Sequence, residues 1–548
     1  MTVKERFKKN LRLFADNGIN LLLISILTGL FAGVVITFYN ILMNFGEYTS
    51  QKFYDLFIKN PAFIPLLFLA LAAGAVLIGT LVKFVPMIRG SGIPQIEGAA
   101  RGVVRFKWYV TMCSMFAASL MCVFLGYPAG AEGPSLEMGG CAGSAASQLC
   151  RRNFMVRRLQ IAAGSSAGLA VAFNAPVTGL VFALEEAFRS FSPQVFICAA
   201  VSVITSLFTR NAIRSGLDSC TSWDLGVGFS FHEFRFTFAF DAQGGLFCLW
   251  TALAAFITSL AGVGFYYLVF ACKKVFKRIT FFKGAGKYII PFCLAGAFGL
   301  ITVYSLGGGH AFIDALATGG DGAIDISRVF GLGIAASLVI IVIIRFITAV
   351  LTMGCGVPCG VFIPMLAIGA GIGAILSLGF QRGGMDGAYS DYLVIICMAA
   401  FFTCIVKAPV TGIVMVFELT GQFTNLIPAI IGVVIGYLVG MLFRTEGIYE
   451  KNLAQFIKDE KIYDSFKKVR VNITVMPHSR AEGRKVRQII WPANGLVTER
   501  VTAAGEASVP DGETLLCAGD KLTFECETDS EKELGDYLSE IVGKAESG

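Results

Sequence analysis

Five carboxylates in this 548-residue chain stand where apolar surroundings make a charge costly. Residues 130–140 read GAEGPSLEMGG, lie between the apolar stretches Met112–Leu125 and Ile161–Leu184, and carry Glu132 and Glu137. Glu185 and Glu186 close APVTGLVFALEE, and Glu97 follows Ser91, Gly92 and Ile93 in GSGIPQIEG. Ionisable groups in such a setting are functional candidates by default. The glycines and prolines around them say what they face. Glycine permits irregular backbone, and proline fits the first helical position, whose N–H has no partner anyway. GSGIP at Gly90–Pro94 therefore predicts a helix start aimed into protein. GAEGP repeats the design with Gly133 and Pro134, and CGVPCGVFIP at 355–364 repeats it again. Free amides and the positive end of the helix dipole favour an anion. Three such starts aimed at one spot hold a dehydrated anion without a full positive charge, weakly enough for passage. Glu132, itself an anion, competes for that spot, and on protonation it loses the attraction and swings away. One residue then couples anion occupancy to proton binding.

The elements that must position these groups are membrane spans. Hydrophobic residues make up 55% of the chain and charged residues 15%, against about a quarter charged in soluble domains. Apolar stretches near the roughly 20 residues needed to cross a bilayer recur at Ile19–Met43, Ala62–Leu81, Tyr109–Leu125, Gln160–Leu184, Gln194–Phe208 and Leu246–Phe270. Further stretches lie at Tyr288–Leu306, Val329–Met353, Val361–Leu378, Leu393–Phe417 and Leu426–Phe443. This is the pattern of a polytopic membrane protein. Lys4, Arg6, Lys8, Lys9 and Arg12 precede the first span and predict a cytoplasmic N-terminus. The apolar run behind them is too long for a secretory signal. Basic loops such as the one with Arg151, Arg152, Arg157 and Arg158 account for the net charge of +7 without a nucleic-acid partner. The 15 cysteines have no pairing rhythm and read as small hydrophobes, Cys355 and Cys359 included.

An internal repeat organises the membrane part. APVTGLVFALE at Ala175–Glu185 returns as APVTGIVMVFE at Ala408–Glu418, a shift of 233 positions. Duplicated halves with Gly/Pro-interrupted helices at matching places point to a transporter that binds its substrate where broken helices meet. The expected organisation is a transmembrane domain over 1–450, with repeats at roughly 15–215 and 240–450. A polar connector follows at 451–468, then a small α+β domain at 469–548. In that last part VRVNITV and KLTFECE alternate as strands do, PDG at 510–512 is a turn, and Ser530 to Glu533 forms a capping box before an amphipathic helix.

At GSGIPQIEG, GAEGP, GLAVAFNAPVTGLVFALEE and GVPCGVFIPMLAIG the sequence resembles the CLC chloride channel and transporter family, over roughly residues 15 to 450. The resemblance implies an all-α membrane fold with inverted repeats and broken helices, assembled as a homodimer with one anion pathway per subunit. It implies that Ser91 offers its hydroxyl to chloride, that Glu132 is the external gating glutamate, and that Val361 and Phe362 give backbone amides. Tyr449, in EGIYEKNL, would supply an inner phenol. Proton-coupled members carry a second glutamate near the cytoplasmic end of the first APxxG helix, a place that matches Glu186, beside Glu185. The resemblance also implies that Glu97 is a buried neighbour of that route. Ser91 favours chloride over nitrate or fluoride.

The functions implied are chloride/proton antiport or, as the alternative, a passive chloride channel on the same fold. The setting is the cell (inner) membrane with both termini cytoplasmic. Neither a cofactor nor enzymatic chemistry is expected, since the three His form no cluster, and no TVGYG-like filter supports a potassium pathway. Two positions depart from the family pattern. Ala131 stands where Arg or Lys usually precedes the glutamate, and Glu137 stands where Gln is common. One cation lost and one acid gained at the outer mouth predict weaker chloride affinity or a need for lower pH. With a strand, Gly483, a short helix and then PDGETLLCAGD at 510–520 ahead of another strand, the C-terminal part resembles the TrkA-C regulatory domain of potassium-transport systems. Such domains pair, and this one is expected either to bind a small molecule or nucleotide or only to stabilise a dimer.

Overall fold

The computed structural model describes residues 19–152, 154–187, 193–220, 242–278, 284–317, 330–331, 333–420, 426–462, 467–489, 491, 495–528 and 531–546. The basic residues Lys4–Arg12, His232, and Ser530 of the expected capping box lie outside them. Seven helices among the described residues are long and apolar enough to cross a membrane. The first half of the membrane part runs through α1 (Ile19–Lys59), α2 (Ile64–Phe84), α3 (Ile93–Ala100), α4 (Trp108–Phe124), α5 (Glu132–Leu149), α6 (Phe154–Phe173), α7 (Pro176–Phe182) and α8 (Pro193–Cys220). The second half follows as α9 (Ala242–Arg278), α10 (Ile289–Ile301), α11 (His310–Ala317), α12 (Ile334–Cys355), α13 (Phe362–Arg382), α14 (Ser390–Val406), α15 (Pro409–Thr420) and α16 (Leu426–Leu442). Helix α17 (Ile448–Asp459) then leads out.

Helix lengths are uneven for local reasons. At 41 residues α1 is far longer than a bilayer needs, whereas α3 has 8 residues and α7 only 7, too few to cross. The apolar stretches Gln160–Leu184 and Leu393–Phe417 are each broken at an Ala-Pro, as Gly/Pro-interrupted helices in matching places predict. Asn174 (φ 54°) and Lys407 (φ 70°) take left-handed backbone just ahead of each Ala-Pro. The residue before proline avoids helical angles, so Ala175 is extended (φ −123°, ψ 90°) and Pro176 opens a new helix. Each APVTG thus starts a short helix of its own.

Burial sorts the helices into a centre and a shell. Every residue of α3, and α5 from Glu132 to Ser147, is buried. The shell helices turn Leu23, Leu69, Leu249 and Leu438 outward, as a lipid-facing surface requires. Helices α5 and α6 approach closely through small residues. A Cβ on Gly143 would collide with the Gln160 carbonyl, and one on Gly164 with that of Gly139.

Past α17 the chain forms a five-stranded sheet ordered β3-β2-β4-β1-β5, from β1 (Lys467–Val475), β2 (Gly495–Val501), β3 (Ala507–Ser508), β4 (Lys521–Thr528) and β5 (Gly543–Glu546). Strands β1 and β4 pair antiparallel with Ile473 opposite Leu522. Helix α18 (Glu531–Val542) brings Leu534, Tyr537, Leu538 and Ile541 to the same core as Ile473, Phe524 and Cys526. Helix α18 also packs against α6, where Tyr537 lies within electrostatic reach of Arg158.

Candidate functional site

Backbone hydrogen bonds stitch together the segments ahead of α3, α5 and α13. Gly90 N–H donates to the Gly356 carbonyl at 3.1 Å, and Gly130 and Gly360 exchange N–H···O bonds of 2.9 Å in both directions. Gly92 caps α3 with left-handed backbone (φ 75°), which glycine adopts without the Cβ penalty. Gly133 is small for a steric reason: a Cβ there would lie 2.6 Å from the Ser91 carbonyl oxygen and 3.2 Å from the Gly360 Cα. The starts of α3, α5 and α13 therefore converge on one place, lined by Ser91, Gly92, Ile93, Gly133, Val361 and Phe362, all buried or nearly so. First-turn amides have no acceptor inside their own helix. Pro94, Pro134 and Pro364 remove one donor from each start without removing a helical bond.

Glu132 is the first residue of α5 and is 1% exposed. Its Oε1 lies 3.8 Å from His310 Nε2, and its carboxylate fills the space a Cβ on Gly130 would need. The carboxylate thus lies beside the Gly130–Gly360 bridge, next to the convergent starts. His310, isolated in sequence, is thus a spatial neighbour of Glu132 that sequence reasoning missed. Glu47 of α1 and Arg345 of α12 join them: the Glu47 carboxylate packs against Gly307, and Arg345 donates to the Leu306 carbonyl at 3.3 Å.

On the other side of the starts, Tyr449 of α17 is fully buried and its hydroxyl has no hydrogen-bond partner among the described residues. A buried phenol ordinarily finds one, so this O–H is free to serve a ligand. Its ring meets Phe182 edge-on at 6.3 Å, and Phe182 in turn meets Phe362 at 6.0 Å. Tyr449 lies within electrostatic reach of Glu97, Glu186 and Glu132. Glu97 is fully buried, 3.8 Å from Arg101, and Arg101 also donates to the Glu186 carbonyl at 3.1 Å. Arg158 donates to the Ala100 carbonyl at 2.9 Å and lies near Tyr537, so Glu97 and Glu186 belong to the side of the molecule that bears the sheet domain.

Glu185 and Glu137 make contacts that the sequence did not show. Glu185, expected beside Glu186 on the proton route, is a helix cap: it accepts from Val410 N–H at 3.0 Å, Thr411 N–H at 2.8 Å and the Thr411 hydroxyl at 2.7 Å. It lies in a π-helical turn, Ala183–Ala187, that follows α7 and brings it against the start of α15. Glu137, expected to add charge at the outer mouth, is fully buried, and its carboxylate packs against Gly92. Five residues into α5 it has turned inward with the helix, and neither oxygen has a hydrogen-bond partner among the described residues. No His/Cys/Asp/Glu group suited to a metal ion occurs among the described residues.

The sequence pattern of the family described as voltage gated chloride channel matches residues 73–441. The chain belongs to this family. Among curated relatives, H(+)/Cl(-) exchange transporter ClcA of Vibrio cholerae serotype O1 (strain M66-2) is 30% identical over 463 residues, covering 81% of this chain and 91% of that protein. ClcA of Yersinia pestis bv. Antiqua (strain Angola) is 30% identical over 390 residues, covering 69% and 75%. A slow cyanobacterial Cl-/H+ antiporter has the same fold, with TM-score 0.70 at 22% identity over 80% of this chain and 99% of that one. A CLC-type fluoride/proton antiporter follows at TM-score 0.60 and 18% identity, covering 78% and 96%. The voltage gated chloride channel family thus accounts for the multi-pass helical fold, its broken helices included.

Proposed function

We propose that the chain exchanges chloride for protons across a membrane. The observation that carries this reading is the convergence of three buried helix starts with Glu132 beside them. Ser91 offers its hydroxyl, and Gly92, Ile93, Gly133, Val361 and Phe362 offer backbone amides, to one dehydrated chloride. Tyr449 closes the inner end with its unpartnered O–H. Glu132 competes with chloride for the amides when ionised and withdraws when protonated, so each anion step requires a proton step. Glu186, on the side of the sheet domain, receives the proton there, and Glu97 lies along its way to Glu132. The relatives named as exchange transporters support antiport over a passive channel.

The exposed apolar residues Val177, Val410, Ile427, Ile430 and Val434 on α7, α15 and α16 support a homodimer seam within the lipid. The sheet domain is the cytoplasmic regulatory unit, TrkA-C-like in sequence, and the membrane is the cell (inner) membrane with both termini cytoplasmic. Purified protein in vesicles with an imposed chloride gradient tests the proposal: protons are pumped against their gradient if it exchanges, and chloride dissipates without proton pumping if it is a channel.

A further inference from the structure

In sequence Cys355 stands four residues from Cys359 in CGVPCG, but the fold gives it a different thiol as neighbour. Cys272 of α9 lies in side-chain hydrogen-bond contact with Cys355, whereas Cys359 lies within electrostatic reach of Cys122 and Glu132. Gly354 makes room for the pair: a Cβ there would lie 2.4 Å from Cys272 Sγ and 2.8 Å from Cys272 Cβ. Two thiols that already face each other bridge without large backbone movement. Cys355 is 2% exposed, but Cys272 is only half-buried and so open to a small solute.

The surroundings are those of a reactive thiol. Lys273 follows Cys272 and donates to Asn452 Oδ1 at 2.6 Å, and Lys287 lies within electrostatic reach of both Cys355 and Arg89. Partly exposed cysteines in electropositive settings are the ones that oxidise. The pair also sits where a bond has consequences. Cys355 is the last residue of α12, and Gly356 after it (φ 76°) accepts from Gly90 N–H at 3.1 Å and from the Tyr288 hydroxyl at 3.3 Å. That segment runs directly into Val361 and Phe362. One helical turn past Lys273, Lys277 pairs with Asp459 of α17 at 2.8 Å, so the thiols lie on the side that bears the sheet domain.

We propose that Cys272 and Cys355 form a redox-modification site whose oxidation by a small hydroperoxide slows anion passage. The Cys272 sulfur attacks one peroxide oxygen, the O–O bond breaks, and the other oxygen leaves with the thiol proton as an alcohol or water. Cys272 is then a sulfenic acid. The Cys355 sulfur attacks the Cys272 sulfur, the S–S bond forms, and the sulfenic hydroxyl leaves as water with the Cys355 proton. Two thiols have been oxidised and one peroxide reduced. The disulfide ties α9 to the segment ahead of α13, which loses the freedom to shift as chloride passes. This rests on the reading above that Val361 and Phe362 hold chloride and that the sheet domain is cytoplasmic. In the cytosol thiols are held reduced and a disulfide is a transient, sensing state, reversed by thiol exchange.

The test follows chloride efflux from vesicles holding the full chain, before hydrogen peroxide, after it, and after dithiothreitol, with protons recorded in parallel. Oxidised samples are alkylated, digested and mapped without reductant. The unaltered chain yields one peptide pair joined through Cys272 and Cys355, loses efflux with peroxide and regains it with dithiothreitol. Cys272→Ser and Cys355→Ser each lack the joined pair and keep their efflux through peroxide. Cys355 joined to Cys359, separate alkylation of Cys272 and Cys355, unchanged efflux in the joined chain, or a peroxide loss that persists in Cys272→Ser overturns the inference. A reduced chain that moves chloride without protons, yet shows the joined pair and the reversible loss, overturns the exchange reading alone.

Discussion

Glu185 caps the helix that Thr411 helps to start, accepting from its amide at 2.8 Å and its hydroxyl at 2.7 Å across 226 positions of sequence. The relation is reciprocal. Glu418, the matching residue of the second repeat, accepts from Val177 and Thr178 N–H at 2.7 Å each. Each APVTG helix is capped by the carboxylate that ends the other copy. A carboxylate at a helix start satisfies donors that the helix leaves open and complements its dipole. The two repeats are tied to each other by the residues that make them repeats.

Glu185 and Glu186, adjacent in sequence, are therefore separable by experiment. Hydrogen bonds to a charged group contribute roughly 1.5–3 kcal/mol each, so Glu185→Gln lowers the melting temperature while proton transport continues. Glu186→Gln leaves the melting temperature nearly unchanged and stops proton transport. Thermal melting of detergent-solubilised protein, paired with proton uptake in vesicles, reads both. The opposite assignment of the two effects contradicts the account.

Gly143 lets α5 touch the backbone of α6 at Gln160, and α5 carries Glu132. Gly143→Ala forces the helices apart at a cost of about 1–3 kcal/mol and displaces the start of α5. We expect a lower melting temperature together with reduced chloride flux. Gly264→Ala, on α9 with nothing near the added methyl, is the control. There alanine is the better helix former by up to ~1 kcal/mol, and neither quantity falls.

Glu137 is buried against Gly92 with no hydrogen bond among the described residues. An ionised carboxyl so placed carries a large desolvation cost, which an amide of nearly equal volume avoids. Glu137→Gln is expected to melt at the same or a higher temperature and to bind chloride at least as tightly, measured by titration calorimetry. Loss of chloride binding in this variant would mean that the acid itself takes part in holding the anion.

The helix starts were legible in the sequence because Gly-Pro punctuation inside apolar stretches has few other uses, and their convergence followed once three were counted. The interrupted helices expected in each repeat break at Ala175 and Ala408. An apolar run looks continuous to a hydropathy scale, and it takes the left-handed Asn174 and Lys407 ahead of each Ala-Pro to end the first helix. The capping contact of Glu185 was hidden for a related reason: a cap is recognised by the amides it faces, and these lie on the other repeat. Tyr449 was legible only through family resemblance, since a lone tyrosine after the last span has no pattern. His310, Glu47 and Arg345 were not legible at all. They come from three helices, Glu47 far from the other two, and no local periodicity connects them.

The claim on which the rest depends is that Glu132 and chloride compete for the same helix starts. Simultaneous chloride and proton flux from vesicles holding the unaltered chain and Glu132→Gln tests it most directly. The account predicts that the unaltered chain moves chloride and protons in opposite directions at a fixed ratio, and that Glu132→Gln moves chloride with no protons and no acid-dependent step. Protons that still follow chloride in Glu132→Gln, or chloride flux that keeps its acid dependence, would contradict it.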